Sequence, residues 1–252
     1  MAGRSSEPGL GVTERVLRLL AAFDDKHVDL TLAELARRSR LPMTTAHRLV
    51  ADLLRGEALE RRPDGRLVVG RRLWQVGLLA PVQRELREVA LPHLQDLYDA
   101  TRENVHLAVR EGTEALYVER VHGRTSVPLV SRAGGRLPMH ATGVGKVVLA
   151  HAPADVVAKV VAEAGRVTPF TITDPARLHR ELAAIRRRGY ARTVEEMTLG
   201  TCSVAVPVVG PEGGVVAAVG LVTTTRHSPD RYVPALLVAA AGIARGLRVV
   251  AA

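Results

Sequence analysis

Residues 31–72 run through a capped helix start, a proline-marked turn, a second apolar-periodic segment and an arginine-rich hairpin pattern, and few folds accept that succession. The Thr31 hydroxyl can accept from the free amides of a first helical turn. Glu34, three residues on, can reach back to the amide of Thr31 itself, the reciprocal arrangement that marks a helix start. A helix is therefore expected from Leu32. Leu32, Leu35 and Ala36 share one face of it, and Ser39-Arg40-Leu41-Pro42 ends it, because the residue before a proline is pushed out of helical geometry. Pro42 suits the start of the next helix. There Ala46, Leu49, Val50 and Leu53 recur at helical spacing and can pack on the first, while Thr44, Thr45, His47 and Arg48 face elsewhere.

After Gly56, residues 58–61 and 66–69 flank Pro63-Asp64-Gly65, a turn signal between two short strands. Residues 37–72 hold ten arginines against four acids, an excess of six positive charges and most of the formal net charge of +9. A basic run by itself is more often a solvated face. Here it lies on a helix pair and hairpin that together read as a winged helix-turn-helix, a fold that presents such charge to a nucleic-acid groove. Thr44, Thr45, His47 and Arg48 are the expected readers of a DNA major groove, with Arg48, Arg61, Arg62 and Arg66 placed for phosphate.

With 252 residues and 47% hydrophobic content, the chain has room for a small domain and a larger one with its own core. No uninterrupted apolar stretch reaches the roughly 20 residues of a membrane span, and residues 1–11 are polar without an apolar signal core, so cytoplasmic residence is expected. The single cysteine, Cys202, makes no internal disulfide and no CxxC metal pair. Residues 1–11 read as a disordered tail, 12–72 as the winged domain, 73–82 as a linker helix and 83–252 as a second domain. A first helix is expected over 13–25 with Val16, Leu17, Leu20 and Phe23 inward. Trp74 in the linker reads as packing, with a dimer seam as one place for it, more readily than as a base-stacking residue. Pro81 restarts a helix through about residue 100.

From Asn104 strands and helices mix. Strands are expected over 105–110 and 115–121, around the turn Glu111-Gly112-Thr113, and over 127–131 as a third. Helices follow at 144–150, 153–164 and 175–188, then strands at 190–194, 202–208 and 215–223, and a closing helix at 229–249. Locally pairing strands with helices grouped between them indicate an α+β module and not a doubly wound parallel sheet.

Four strings resemble the IclR family of bacterial transcription regulators: LAELARRSRLPMTTAHRLVADLLRGEALERRPDGRLVVG (32–70), LPHLQDLYDATRENVHLAV (91–109), GGRLPMHATGVGKVVLA (134–150) and GYARTVEEMTLGTCSVAVPV (189–208). The resemblance implies a winged-helix domain, a linker helix and a GAF-like effector domain built on an antiparallel six-stranded sheet whose pocket binds a small metabolite. It implies a ligand-responsive, homodimeric or tetrameric regulator, a repressor of a nearby metabolic operon, acting on a pseudo-palindromic operator and sensing an organic or aromatic acid, with no cofactor. The recognition helix falls on 42–55. Met43 and Ala46 stand where the family more often has a basic or polar residue and a β-branched one, so base preference does not transfer. The pocket falls on Met139, His140, Ala141, Thr142, Gly143, Gly145, Lys146, Glu196, Cys202 and Ser203. The helix start near Gly143 would offer amides to an anionic group.

Other readings of these residues are weaker. Gly143-Val144-Gly145-Lys146 superficially matches a phosphate loop, yet the GxxxxGK[ST] spacing is missing, with His140 and Val147 at the deciding positions. His140 suits an effector oxygen or a loop carbonyl equally. Cys202 in a strand reads first as a small buried hydrophobe and only then as a redox sensor. An enzyme would need His140, Cys202 and a carboxylate assembled as a thiol site, and the sequence around Cys202 carries no nucleophile elbow. A metal sensor would need His106, His122 or His140, whose spacings fit no compact ligand motif.

Overall fold

The computed structural model describes residues 10–24, 27–79, 83–123, 126–127, 129–226 and 228–250. The chain divides into two compact units, Met1–Val82 and Gln83–Ala252.

In the first unit, α1 (Val12–Leu20) is followed by β1 (Asp29–Leu30), α2 (Leu32–Ser39), α3 (Met43–Arg55), β2 (Leu59–Arg61), β3 (Leu67–Val69) and α4 (Arg71–Leu78). The Thr31 hydroxyl accepts from the amide of Glu34 at 3.2 Å, and the Glu34 carboxylate accepts from the amide of Thr31 at 2.8 Å, so α2 starts where its cap requires. It ends on Arg40, which takes a left-handed φ of 55° and bonds its amide back to Ala36 and Arg37. Leu35, Ala36, Leu41, Ala46, Leu49 and Val50 close the α2–α3 seam, with Leu19, Leu30, Leu59 and Leu67 beneath.

Two expectations change here. α1 stops at Leu20, short of residue 25, which itself lies outside the described residues. Leu17 is 60% exposed, and Leu19 takes the core position. Val16, Leu17, Leu19 and Leu20 cover too wide an arc for one buried stripe, so the sequence offers two inward faces and packing chooses one. The wing is also a three-stranded sheet in the order β1-β3-β2, with Asp29 opposite Val68 and Leu30 opposite Leu67.

The second unit contains α5 (Arg84–Thr101), β4 (Asn104–Glu111), β5 (Glu114–Val121), β6 (Arg136–Pro138), α6 (Gly143–Ala150), α7 (Ala154–Ala162), α8 (Pro175–Arg188), β7 (Ala191–Val194), β8 (Thr201–Val209), β9 (Val215–Thr224) and α9 (Val233–Val250). Its six strands are ordered β6-β5-β4-β9-β8-β7, each pair antiparallel. Strand alternation sends Val105, Leu107, Val109, Val206 and Val219 to one face, where α5 and α9 cover them. Ala108, Tyr117, Ala205 and Ala218 face the other side, where α6 lies with α7 and α8. Small residues on that side let α6 come close to the sheet.

The strand expected over 127–131 is not formed by the residues described there. β5 instead pairs with β6, Glu114 opposite Pro138 and Leu116 opposite Arg136. Gly134, at φ +77°, returns the chain to β5, and the Gly134 amide and Gly135 carbonyl both bond to Tyr117. Leu129 and Val130 mimic a strand in composition but roof a cavity. The segment Pro229–Val250 is long and apolar enough, by length and composition, to cross a membrane, which the sequence reading did not expect. Its α9 part packs Leu236, Ala239, Ala240, Ile243 and Leu247 onto the sheet and carries Arg245 and Arg248. Pro81, expected to restart the helix that becomes α5, lies outside the described residues.

Candidate DNA face and effector cavity

On α3, Thr44, His47 and Arg48 are exposed and Thr45 is half-buried, opposite the Ala46-Leu49-Val50 seam. Arg37, Arg40 and Arg48 make no side-chain hydrogen bond or ion pair among the described residues. The wing arginines are engaged. Asp29 takes Arg66 Nε at 2.7 Å and Arg62 Nη1 at 2.9 Å, and Arg66 also reaches Glu34 at 3.3 Å. Arg61 donates to the Gly65 carbonyl at 3.0 Å. Hydrogen bonding from Thr31 lowers the Glu34 carboxyl below its usual range, and Asp29 raises the Arg66 guanidinium. Asp29 was missing from the sequence reading, because only the β1–β3 pairing brings it to the wing.

In the second unit, a cavity of about 40 Å³ lies against the α6 side of the sheet. Its walls include His106 of β4, Tyr117 of β5, Thr193 of β7, and Thr201 and Ser203 of β8. Two segments cover it. Residues 129–131 close one end, where Ser131 Oγ and His106 Nε2 lie 2.9 Å apart. Burial, with the nearby Arg120 charge, drives His106 down to about 3, so the imidazole is neutral at physiological pH. Its ring meets Tyr117 edge to face at 5.2 Å, and burial pushes that phenol up to about 12.

Residues 195–200 close the other end. Glu195 takes a left-handed φ of 55°, its carboxylate accepts from the Gly200 amide at 2.7 Å, and the Thr168 and Thr171 hydroxyls bond the carbonyls of Glu195 and Glu196. The Glu196 carboxylate lines the cavity and pairs with Lys146 Nζ at 2.5 Å. Lys146 is wholly buried; desolvation lowers its pKa, opposed by Glu196.

Of the residues expected in the pocket, Thr142, Gly143, Glu196 and Ser203 line this cavity. Lys146 stands behind Glu196. Gly145 is absent from the lining: its amide bonds Thr142 Oγ1 at 3.1 Å, and an added Cβ would lie 2.6 Å from the Met139 Cα. A Cβ on Gly143 would meet Ser203 Oγ at 2.5 Å, so both glycines serve close approach of protein to protein. Ala141 is buried outside the lining. Met139 and His140 instead border an open groove of about 390 Å³ with Glu114, Glu163 and Arg166, where His140 Nε2 donates to the Gly165 carbonyl at 2.8 Å. That groove is larger and more open, whereas the smaller cavity is more sheltered and gathers hydroxyls, an imidazole and a carboxylate. Cys202 follows strand alternation to the face opposite Ser203, donates to the Thr224 carbonyl at 3.3 Å, and has its thiol pKa raised by burial.

His106, Tyr117, Ser131 and Thr193 were missed as lining. For His106, Tyr117 and Thr193 the signal was a polar residue at an inward strand position, readable once the pairing is known; Ser131 lies outside the strands. Among the described residues no group of three or more His, Cys, Asp or Glu is placed to hold a metal.

Comparison with known proteins follows the two units. Residues 12–63 match the IclR helix-turn-helix domain and 80–247 match the bacterial transcriptional regulator IclR C-terminal domain. The chain is 31% identical to the HTH-type transcriptional regulator XynR of Escherichia coli over 226 residues, 88% of this chain and 90% of XynR. It is 29% identical to the HTH-type transcriptional repressor AllR of Klebsiella pneumoniae, over 91% of this chain and 86% of AllR. The crystal structure of an IclR homolog complexed with 4-hydroxybenzoate from Microbacterium hydrocarbonoxydans superposes with a TM-score of 0.89 at 37% identity, covering 95% of this chain and all of that one. These relatives are regulators, which sets the thiol-enzyme alternative aside. The chain belongs to the IclR family of bacterial transcriptional regulators.

Proposed function

We propose that this regulator senses a small organic or aromatic acid in the cavity between residues 129–131 and 195–200, and that occupancy changes its affinity for a pseudo-palindromic operator beside a metabolic operon that it represses. The observation that carries the effector site is the cavity itself, set against the sheet, apolar along Leu137, Val144 and Val222, and polar at both ends. The 4-hydroxybenzoate in the Microbacterium relative supports the ligand class. At about 40 Å³ the cavity holds roughly three waters, so an aromatic acid needs more room than this and its covering segments must give way to admit it. Cytoplasmic residence belongs to the same reading, since the operator is there.

Thr44, Thr45, His47 and Arg48 are the base-reading and phosphate-contacting set, with Arg61, Arg62 and Arg66 along the wing. One recognition helix reads only a few base pairs, so two winged domains must pair across a two-fold axis. Exposed Leu17, Trp74 and Val76 are the apolar residues that suit such a seam. Trp74→Asp is expected to lower the mass in light scattering; an unchanged oligomer moves the seam elsewhere.

The test of the main reading is footprinting on the promoter next to the gene, with thermal shift of the same protein. An acid at 100 times its Kd raises stability by about 2.7 kcal/mol and changes operator affinity by a coupling of about 1–3 kcal/mol. Absence of any protected sequence at low salt refutes it.

A further inference from the structure

Arg120 sits on β5 directly opposite His106 in the β4–β5 register, so the two side chains share the cavity face of the sheet. Its guanidinium is half-buried. Nη1 donates to the Ser131 carbonyl at 2.6 Å, Nη2 donates to Asn104 Oδ1 at 2.9 Å, and Nε is buried with no acceptor. Both acceptors are neutral, and among the described residues no carboxylate pairs with Arg120. Its neighbour Glu119 is turned to the opposite face, where it holds Arg87 at 2.5 Å.

Even a partly desolvated charge without a counter-ion is costly, and proteins ordinarily pair or neutralise it. The one carboxylate in the cavity lining, Glu196, belongs to the segment between β7 and β8, strands separated from β5 by β4 and β9, and is already matched by Lys146. His106 and Ser131, which do line the cavity, stand next to Arg120 and contribute only neutral groups.

We propose that Arg120 is the counter-ion of the effector: it sets the carboxylate of an organic acid at the His106–Ser131 end of the cavity and makes the site prefer anions over neutral analogues. This rests on the organic-acid reading above. The acid's carboxylate reaches the buried Nε once residues 129–131 yield, while its apolar body lies along Val144 and Val222. A guanidinium presents a fork of donors that suits a carboxylate in a way an ammonium does not.

The test uses the full chain and pairs of probes, 4-hydroxybenzoate with 4-hydroxybenzamide and benzoate with benzamide, in thermal shift and calorimetry. The wild type is expected to prefer each acid to its amide. Arg120→Gln is expected to weaken acid binding about 10- to 100-fold, the range of a lost charged hydrogen bond, and to leave amide binding within about twofold. Arg120→Lys should keep part of the preference. Without ligand, Arg120→Gln should melt close to wild type, because removal of an unpaired charge offsets the lost hydrogen bonds to Ser131 and Asn104. Equal loss of acids and amides, together with a lower melting temperature, makes Arg120 only a clamp on Ser131 and overturns the assignment. Acids that bind Arg120→Gln as well as wild type overturn it while leaving the organic-acid reading in place. If neither acid stabilises the wild type, the organic-acid reading falls and takes this one with it.

Discussion

Replacing Glu196 by Gln should be far more damaging than the loss of one hydrogen bond. The Lys146 side chain is wholly buried, and its only described ion-pair partner is Glu196. Removing one member of such a pair leaves the other charged in a poorly polarisable interior, at about 3–5 kcal/mol. With a urea slope of about 1–3 kcal/mol per molar, the midpoint for the sheet-bearing unit should fall by roughly 1–5 M. The pH dependence has a definite sign. Burial already lowers the Lys146 pKa below its unfolded value of 10.5, and losing Glu196 lowers it further. Between the lowered folded pKa and 10.5 the unfolded chain binds the extra proton, so stability rises with pH across that window. The Glu196→Gln deficit should therefore shrink as pH rises toward the unfolded value of 10.5. Lys146→Met combined with Glu196→Gln should recover much of the loss, since no charge is then stranded. Urea melts followed by circular dichroism, at two pH values and on the full cycle of variants, decide the matter. Additive single losses that do not respond to pH would refute the reasoning.

Gly143→Val should act through packing and not by filling the cavity, because its Cβ would fall 2.5 Å from Ser203 Oγ. A loss of about 1–3 kcal/mol is expected, and Gly143→Ala in a Ser203→Ala background should melt above Gly143→Ala alone; no recovery excludes that clash as the cause. Asp29→Asn should release Arg62 and Arg66 from their tether, steepening the salt dependence of DNA binding by about 0.9 units for every further phosphate they neutralise. A flatter slope in binding titrations would mean that Asp29 presents those arginines and does not withhold them. Thr31→Ala should cost about 1 kcal/mol through loss of the α2 cap, measured as a lower melting temperature of the winged unit.

Much of the fold could be read before any coordinates because its signals are local. The Thr31–Glu34 cap, the break at Pro42 and the 111–113 turn each rest on neighbours in sequence, and each element begins or ends where they require. What escaped depends on pairing between distant strands. β1 exists only because Asp29 and Leu30 meet β3, and β6 took the place expected for residues 127–131 because the Gly134 turn delivers Arg136–Pro138 to β5. A cavity does lie at the segments where the pocket was expected, but its lining was only partly legible. Thr142, Gly143, Glu196 and Ser203 lie on it, while His106 and Tyr117 reach it from strands whose register no local pattern encodes. Cys202 was placed one residue out, which in a strand means the opposite face.

Glu34 has a double attachment whose consequence reaches past the helix it starts. The same carboxylate accepts from the first amide of the α2 cap and from Arg66 on the wing, and Arg66 is held in turn by Asp29. Helix start and wing are thus fastened to one another away from the outward surface of α3. If α3 reads the operator as proposed, its preference can drift through Thr44, Thr45, His47 and Arg48 without loosening that frame, whereas a change at Glu34 alters two joints together. On that reading, descendants of this regulator would acquire new target sequences by surface substitution on one helix while inheriting the mount intact.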